Sequence, residues 1–170
     1  MKRIFFGLIF VIATTAVCAQ KYAFVDTEYI LNNIPAYKAA QDKLNKLSTD
    51  WQNEIEAEYV VLDKMRQDYQ TEKVLLTKEM IKQREGEIAV KDRAIKKLQK
   101  RFFGPNGELL KKRMELIKPI QDEVYNVIKD IAESGKYAII FDTAAGTTIL
   151  FTDSKYDKSD EVLEKLGYKN

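Results

Sequence analysis

Between Tyr37 and Ile131 the chain is charged, nearly free of glycine and proline, and apolar mainly on one side. On the rising half the apolar positions are Tyr37, Ala40, Leu44, Leu47, Trp51, Ile55, Leu62, Met65 and Tyr69. The steps are mostly three and four, the period of a helix that buries one stripe. The stripe resumes as Ile81, Ile88, Ile95, Leu98 and Phe102, then tightens to Leu110, Ile117, Ile120, Val124, Val127 and Ile131. A run this long with so few breakers reads as coiled-coil-like helix. A single rod of this length would reach roughly 140 Å at about 1.5 Å per residue, so the chain must reverse.

Two reversal points compete. Gly104-Pro105-Asn106-Gly107 is the strongest breaker in the chain. A turn there would leave most of the rising arm unpaired. A turn near Val74 to Thr77 pairs Tyr37–Leu75 against Lys78–Lys118, two arms of nearly equal length. Thr77 can cap the returning helix, with Glu79 in its first turn, where negative charge suits the dipole. The expectation is therefore reversal at Val74 to Thr77, with Gly104–Gly107 as a break in the returning helix opposite Ser48 to Trp51.

Tyr22-Ala23-Phe24-Val25 is β-prone and ends at Asp26, which, or Thr27, can cap a short helix through Ile30 and Leu31. Asn32-Asn33 with Pro35 ends that helix. The long helical stretch should stop at Ser134-Gly135. Two more β-prone runs, 137–141 and 147–151, read as an antiparallel hairpin joined by Asp142 to Gly146. Ser159 can cap a last short helix holding Val162, Leu163 and Leu166, with Gly167 beyond it.

Residues 1–19 have the pattern of a secretory signal peptide. Lys2 and Arg3 precede an apolar run, Ile4 to Val17, and Val17-Cys18-Ala19 offers cleavage before Gln20. A retained anchor and lipoprotein processing before Cys18 are the alternatives; the run is short for a spanning helix. Cys18 is the single cysteine, so a mature chain would have no disulfide, and the sequence has no histidine. That removes the usual general base and the usual metal ligand together. Ser/His and Cys/His pairs are excluded, and no glycine-rich phosphate loop is present. Glu54, Glu56, Glu58, Glu85 and Glu87 occupy alternating helical positions that do not face one another. The chain does not read as an enzyme, and no cofactor or metal is expected.

Charge is uneven. Residues 20–70 carry 6 basic and 9 acidic side chains, residues 71–118 carry 14 and 7, and residues 119–170 carry 6 and 10. Positive charge thus gathers on the returning arm, while the ends are acidic. Little length remains outside the helices for an independent core, so self-association is expected to supply burial.

The order of elements resembles the Skp/OmpH family of periplasmic chaperones. The resemblance rests on Tyr22-Ala23-Phe24-Val25-Asp26, Ile30-Leu31-Asn32, Ile34-Pro35-Ala36-Tyr37, the charged helical middle, Lys136-Tyr137-Ala138-Ile139-Ile140-Phe141-Asp142, and Asp157-Lys158-Ser159-Asp160-Glu161-Val162-Leu163. Lys158 stands where family members often carry an apolar residue. The mature chain is formally neutral, while family members are often strongly basic.

The resemblance implies a mainly α fold with a small β body. Residues 20–36 and 119–170 would form that body, and 37–118 an antiparallel helical hairpin, or tentacle. Each chain would give three strands to a homotrimeric body, with Phe24, Val25, Ile139, Ile140, Phe141, Ile149 and Phe151 as trimerisation residues. The implied function is an ATP-independent holdase for unfolded outer-membrane β-barrel proteins in the periplasm of a Gram-negative-type cell. The residues expected to touch such clients are Trp51, Tyr59, Tyr69, Val74, Leu75, Leu76 and Met80, with the basic run Lys91, Arg93, Lys96, Lys97, Lys100 and Arg101. That run would attract acidic client segments or the phosphates of anionic lipid or lipopolysaccharide. Nucleic acid is not an expected partner. The alternative is a coiled-coil envelope adaptor that binds one folded partner.

Overall fold

A computed structural model describes residues 21–146 and 149–168. The signal peptide read over residues 1–19 lies outside them. The chain divides into two compact units, Leu31–Tyr125 and the residues on either side of it.

The smaller unit is built on β1 (Lys21–Val25) and β2 (Tyr137–Asp142), which pair in parallel. Parallel strands need a crossover, and here the long, mostly helical stretch between Val25 and Tyr137 supplies it. Ala23 and Val25 are buried on β1. The other edge of β1 meets Asp157 through a single bridge at Phe24, and the Lys158 amide donates to the Phe24 carbonyl at 2.9 Å.

Among the described residues, the antiparallel strand pair expected over 137–151 is not formed. Ile149–Phe151 are irregular, and Thr147 and Thr148 lie outside the described residues. Leu150 is 94% and Phe151 85% exposed. Strand propensity alone does not order a segment whose side chains have nothing to pack against. The described residues therefore contribute two strands and a bridge, in place of the three strands expected.

Side-chain hydrogen bonds lock the ends of these strands. Asp26 caps α1 (Thr27–Asn32), its Oδ1 accepting from the Tyr29 amide at 2.9 Å. The Asp142 carboxylate accepts from the Thr27 amide at 3.2 Å and the Thr27 hydroxyl at 2.7 Å. Ser159 was expected to cap the last helix. Its buried hydroxyl instead accepts from the Asp26 amide at 2.9 Å, and Asp157 receives the Ser159 amide at 2.8 Å. A side chain that reaches a backbone amide 133 residues away gives no local signal.

The larger unit begins with α2 (Pro35–Glu72), a helix of 38 residues with proline in its first turn, where no amide partner is needed. A 3₁₀ turn, Lys73–Leu75, leads to α3 (Lys78–Phe103). Thr77 caps α3 as the sequence predicts, its hydroxyl accepting from the Met80 amide at 3.3 Å. Gly104–Gly107 break the returning helix as predicted, and α4 (Glu108–Leu116) follows.

A further interruption at Ile117 separates α4 from α5 (Lys118–Gly135). Pro119 lies two residues on and cannot donate an amide hydrogen bond into the preceding turn, a signal the periodicity had masked. The helix was expected to stop through glycine at Gly135. The left-handed residue is instead Lys136, with φ of 54°. Gly135 is helical, and a Cβ there would collide with the Tyr137 ring. The glycine thus leaves room for the Tyr137 ring and supplies no positive φ. The last helix, α6 (Ser159–Lys165), does end through glycine: Gly167 has φ of 84°, and the Tyr168 amide donates to the Leu163 carbonyl at 2.9 Å.

Lys136→Gly removes the penalty of a side chain in the left-handed region. It is expected to raise stability by about 1 kcal/mol, read as a higher urea midpoint at unchanged slope. A lower midpoint would show that the lysine side chain holds this junction.

Candidate functional site

In the larger unit α2 and α3 meet in opposite sequence order. Trp51 lies against Phe102, Tyr59 against Gln99, Arg66 against Asp92 and Tyr69 against Glu85. The seam is a single row of buried side chains, Ile55 and Leu62 from α2 with Ile95 and Phe102 from α3. Trp51, Tyr59, Ile88 and Leu98 pack against it. A second cluster, Ala40, Leu44 and Ile117, lies beyond the glycine break.

Aromatic side chains thicken the seam. The Trp51 ring stacks on Phe102 at 4.8 Å and 5°, and Phe103 meets both edge-on at 6.4 Å. The Tyr69 hydroxyl donates to Glu85 at 2.5 Å. That hydrogen bond, helped by desolvation, raises the Tyr69 pKa above the ordinary phenol value.

Ion pairs link the helices where apolar contact runs out. Lys91 pairs with Glu58 across the seam. Arg66 reaches Asp92 at 3.5 Å, and Arg84 reaches Glu72 at 3.6 Å. Asp92 is also held by Lys96 at 2.7 Å, a hydrogen bond that keeps its carboxyl below the usual range.

At the reversal the burial ends. Val74 is 88% and Leu75 83% exposed, Leu76 is partly covered, and Met80 is half exposed. Among the described residues there is no cluster of potential metal ligands, and no helix is long and apolar enough to cross a membrane.

A family model described as Outer membrane protein (OmpH-like) matches residues 21–166. The chain belongs to the OmpH-like family. Its fold is also similar to that of a Caulobacter crescentus CB15 protein described as an outer membrane chaperone (OmpH-like). The TM-score is 0.67 at 14% identity, over 90% of this chain and 87% of that one. No curated protein matches the sequence.

In this OmpH-like chain the geometry divides the candidate residues. Trp51, Tyr59 and Tyr69 are engaged in the seam, whereas Val74, Leu75 and Met80 are open to solvent. Of the basic run, Lys91 and Lys96 are paired with carboxylates, and the Arg101 guanidinium lies over the Phe102 ring at 5.0 Å. Arg93, Lys97 and Lys100 are exposed, and among the described residues no carboxylate lies within ion-pair distance of them.

In the smaller unit Val25 is enclosed within the chain, and Phe24, Ile140 and Ile149 are partly covered. Ile139 and Phe141, two residues apart on β2, are exposed, as is Phe151. Sequence reasoning passed over the exposed Val60, Val61, Val90 and Leu150. Their signal was available for the valines, which sit off the seven-residue row of the seam.

Leu62 and Leu75 separate the seam from the reversal. Leu62→Ala, at a fully buried position, is expected to cost about 2–5 kcal/mol. Leu75→Ala should change stability by less than about 0.5 kcal/mol. Equal losses in chemical denaturation would mean that the reversal is covered by something the single chain does not supply.

Proposed function

We propose that this OmpH-like chain is an ATP-independent holdase that keeps unfolded outer-membrane β-barrel proteins from aggregating. The carrying observation is a hairpin that satisfies its own seam yet leaves Val74, Leu75 and Met80 uncovered at its reversal, with the unpaired cations Arg93, Lys97 and Lys100 farther along α3. Such a surface offers many shallow, separate contacts. Shallow contacts suit a carrier, because their joint effect is multiplied by effective concentration while each remains easily broken. No nucleotide is needed, since release follows from folding of the client elsewhere.

The family, the likeness to the Caulobacter protein and the signal-like residues 1–19 support a periplasmic setting. We assign the working form to a homotrimer whose hairpins surround a cavity. Supporting this, β2 has one edge paired with β1 and, among the described residues, no partner on the other. The exposed Ile139 and Phe141 on that strand, with Leu150 and Phe151 nearby in sequence, form apolar surface that a further copy would bury.

The mature protein is expected to suppress light scattering by a urea-diluted β-barrel protein at low micromolar concentration, without ATP. Failure with several such clients at low salt would reject the reading. Sedimentation should give three times the chain mass, and Ile139→Asp or Phe141→Asp should reduce it. An unchanged mass for both variants would place the interface elsewhere.

A further inference from the structure

The face of α3 opposite the seam carries free charge and an unexplained glycine. Helical spacing puts Lys82, Gly86, Ala89, Val90, Arg93, Lys97 and Lys100 on one stripe about 100° wide. The buried residues Ile95 and Phe102 lie on the other side of the helix. The stripe runs roughly 27 Å at about 1.5 Å per residue and contains no carboxylate. Among the described residues none of its four cations has an ion-pair partner, whereas their neighbours Arg84, Lys91 and Lys96 do.

Gly86 sits near the middle of this stripe, inside a 26-residue helix. Glycine weakens a helix interior relative to alanine. The fold does not require it here: its φ is not positive, and a Cβ would meet nothing within 4 Å. Gly86, Val90 and Arg93 border one shallow groove on the flank toward α2, whose other lining residues are Met65, Gln83, Glu87, Lys91 and Ala94; the Glu87 carboxylate there is already held by Arg84 and Gln83. A bare backbone lining a surface groove allows another backbone to come close.

We infer that this stripe is the docking track for an extended, acidic segment of an unfolded polypeptide, with its carboxylates on Arg93, Lys97 and Lys100 and its backbone over Gly86. The inference rests on the holdase reading and names the part of the client that the returning helix holds. Charge complementarity selects the occupant's sign. Spacing favours a polypeptide: Arg93 and Lys97 are about 6 Å apart along the axis, close to the roughly 6.6 Å between alternate residues of an extended chain. Side chains at alternate positions of such a chain face the same way, so one edge meets the cations while Val90 takes an apolar neighbour.

The test uses the full mature protein and a fluorescein-labelled 12-residue peptide of alternating aspartate and valine, read by anisotropy at low salt. The triple variant Arg93→Gln, Lys97→Gln, Lys100→Gln should bind about tenfold more weakly, with a flatter salt dependence. Lys38→Gln, Lys46→Gln, Lys64→Gln removes equal charge from exposed positions on α2 and should bind like wild type. Gly86→Leu should raise the thermal midpoint yet weaken peptide binding, opposite shifts that a purely structural glycine would not give.

Equal losses in the two triple variants would overturn the track and leave only bulk charge. So would unchanged binding by Gly86→Leu. Phosphatidylglycerol vesicles supply the remaining arm: if the first triple variant loses vesicle binding but keeps the peptide, the stripe reads lipid phosphates and the inference is wrong. Suppression of β-barrel aggregation is measured on the same variants. Suppression by wild type with no peptide binding would sink the track alone, and loss of both would sink the holdase reading too.

Discussion

A single row of side chains holds α2 to α3. Ile55, Leu62 and Tyr69 recur every seven residues on one helix, and Ile95 and Phe102 do so on the other. A seven-residue row keeps two helices in register, but it covers little of either surface. Most side chains of the hairpin are consequently free to do something else, and their charge, exposure and spacing become the functional variables.

Two kinds of contact supplement the row, with different consequences. Near the glycine break, Trp51, Phe102 and Phe103 form a compact aromatic group centred on the buried Phe102. Toward the reversal the links are polar: Tyr69 with Glu85, Arg66 with Asp92, Arg84 with Glu72. Exposed ion pairs of this kind contribute little each and weaken with salt. The hairpin is therefore firmest at its aromatic part and most easily loosened near Val74 and Leu75. Such a gradient suits the proposed holdase, because a rigid apolar tip would favour one shape of partner.

Helical periodicity, the Thr77 cap and the Gly104–Gly107 break were all legible because each is local chemistry that no distant residue overrides. The misreadings share a different origin. Ser159 has the identity and place of a cap, yet its hydroxyl serves Asp26 across the chain. Gly135 has the place of a stop, yet it is kept small by the Tyr137 ring while Lys136 turns the chain. Residues 147–151 have strand composition, but Ile149–Phe151 find no strand partner within one chain. Among the candidate site residues, the pattern picked out the aromatic and basic positions as a group. It could not tell Lys91 and Lys96, which have carboxylates within reach, from Arg93, Lys97 and Lys100, which do not.

By itself the sequence determined that this chain would be a long helical hairpin flanked by short β segments, with no histidine anywhere in it. Periodicity, breakers and missing residue types are properties of neighbours along the chain, so they survive without coordinates. Only the tertiary structure decided that β1 and β2 run parallel, that Trp51 and Tyr69 are consumed in packing, and which cations remain unpaired. Those outcomes depend on which side chains meet across distant stretches of sequence, and burial and ion pairing are set by that meeting alone.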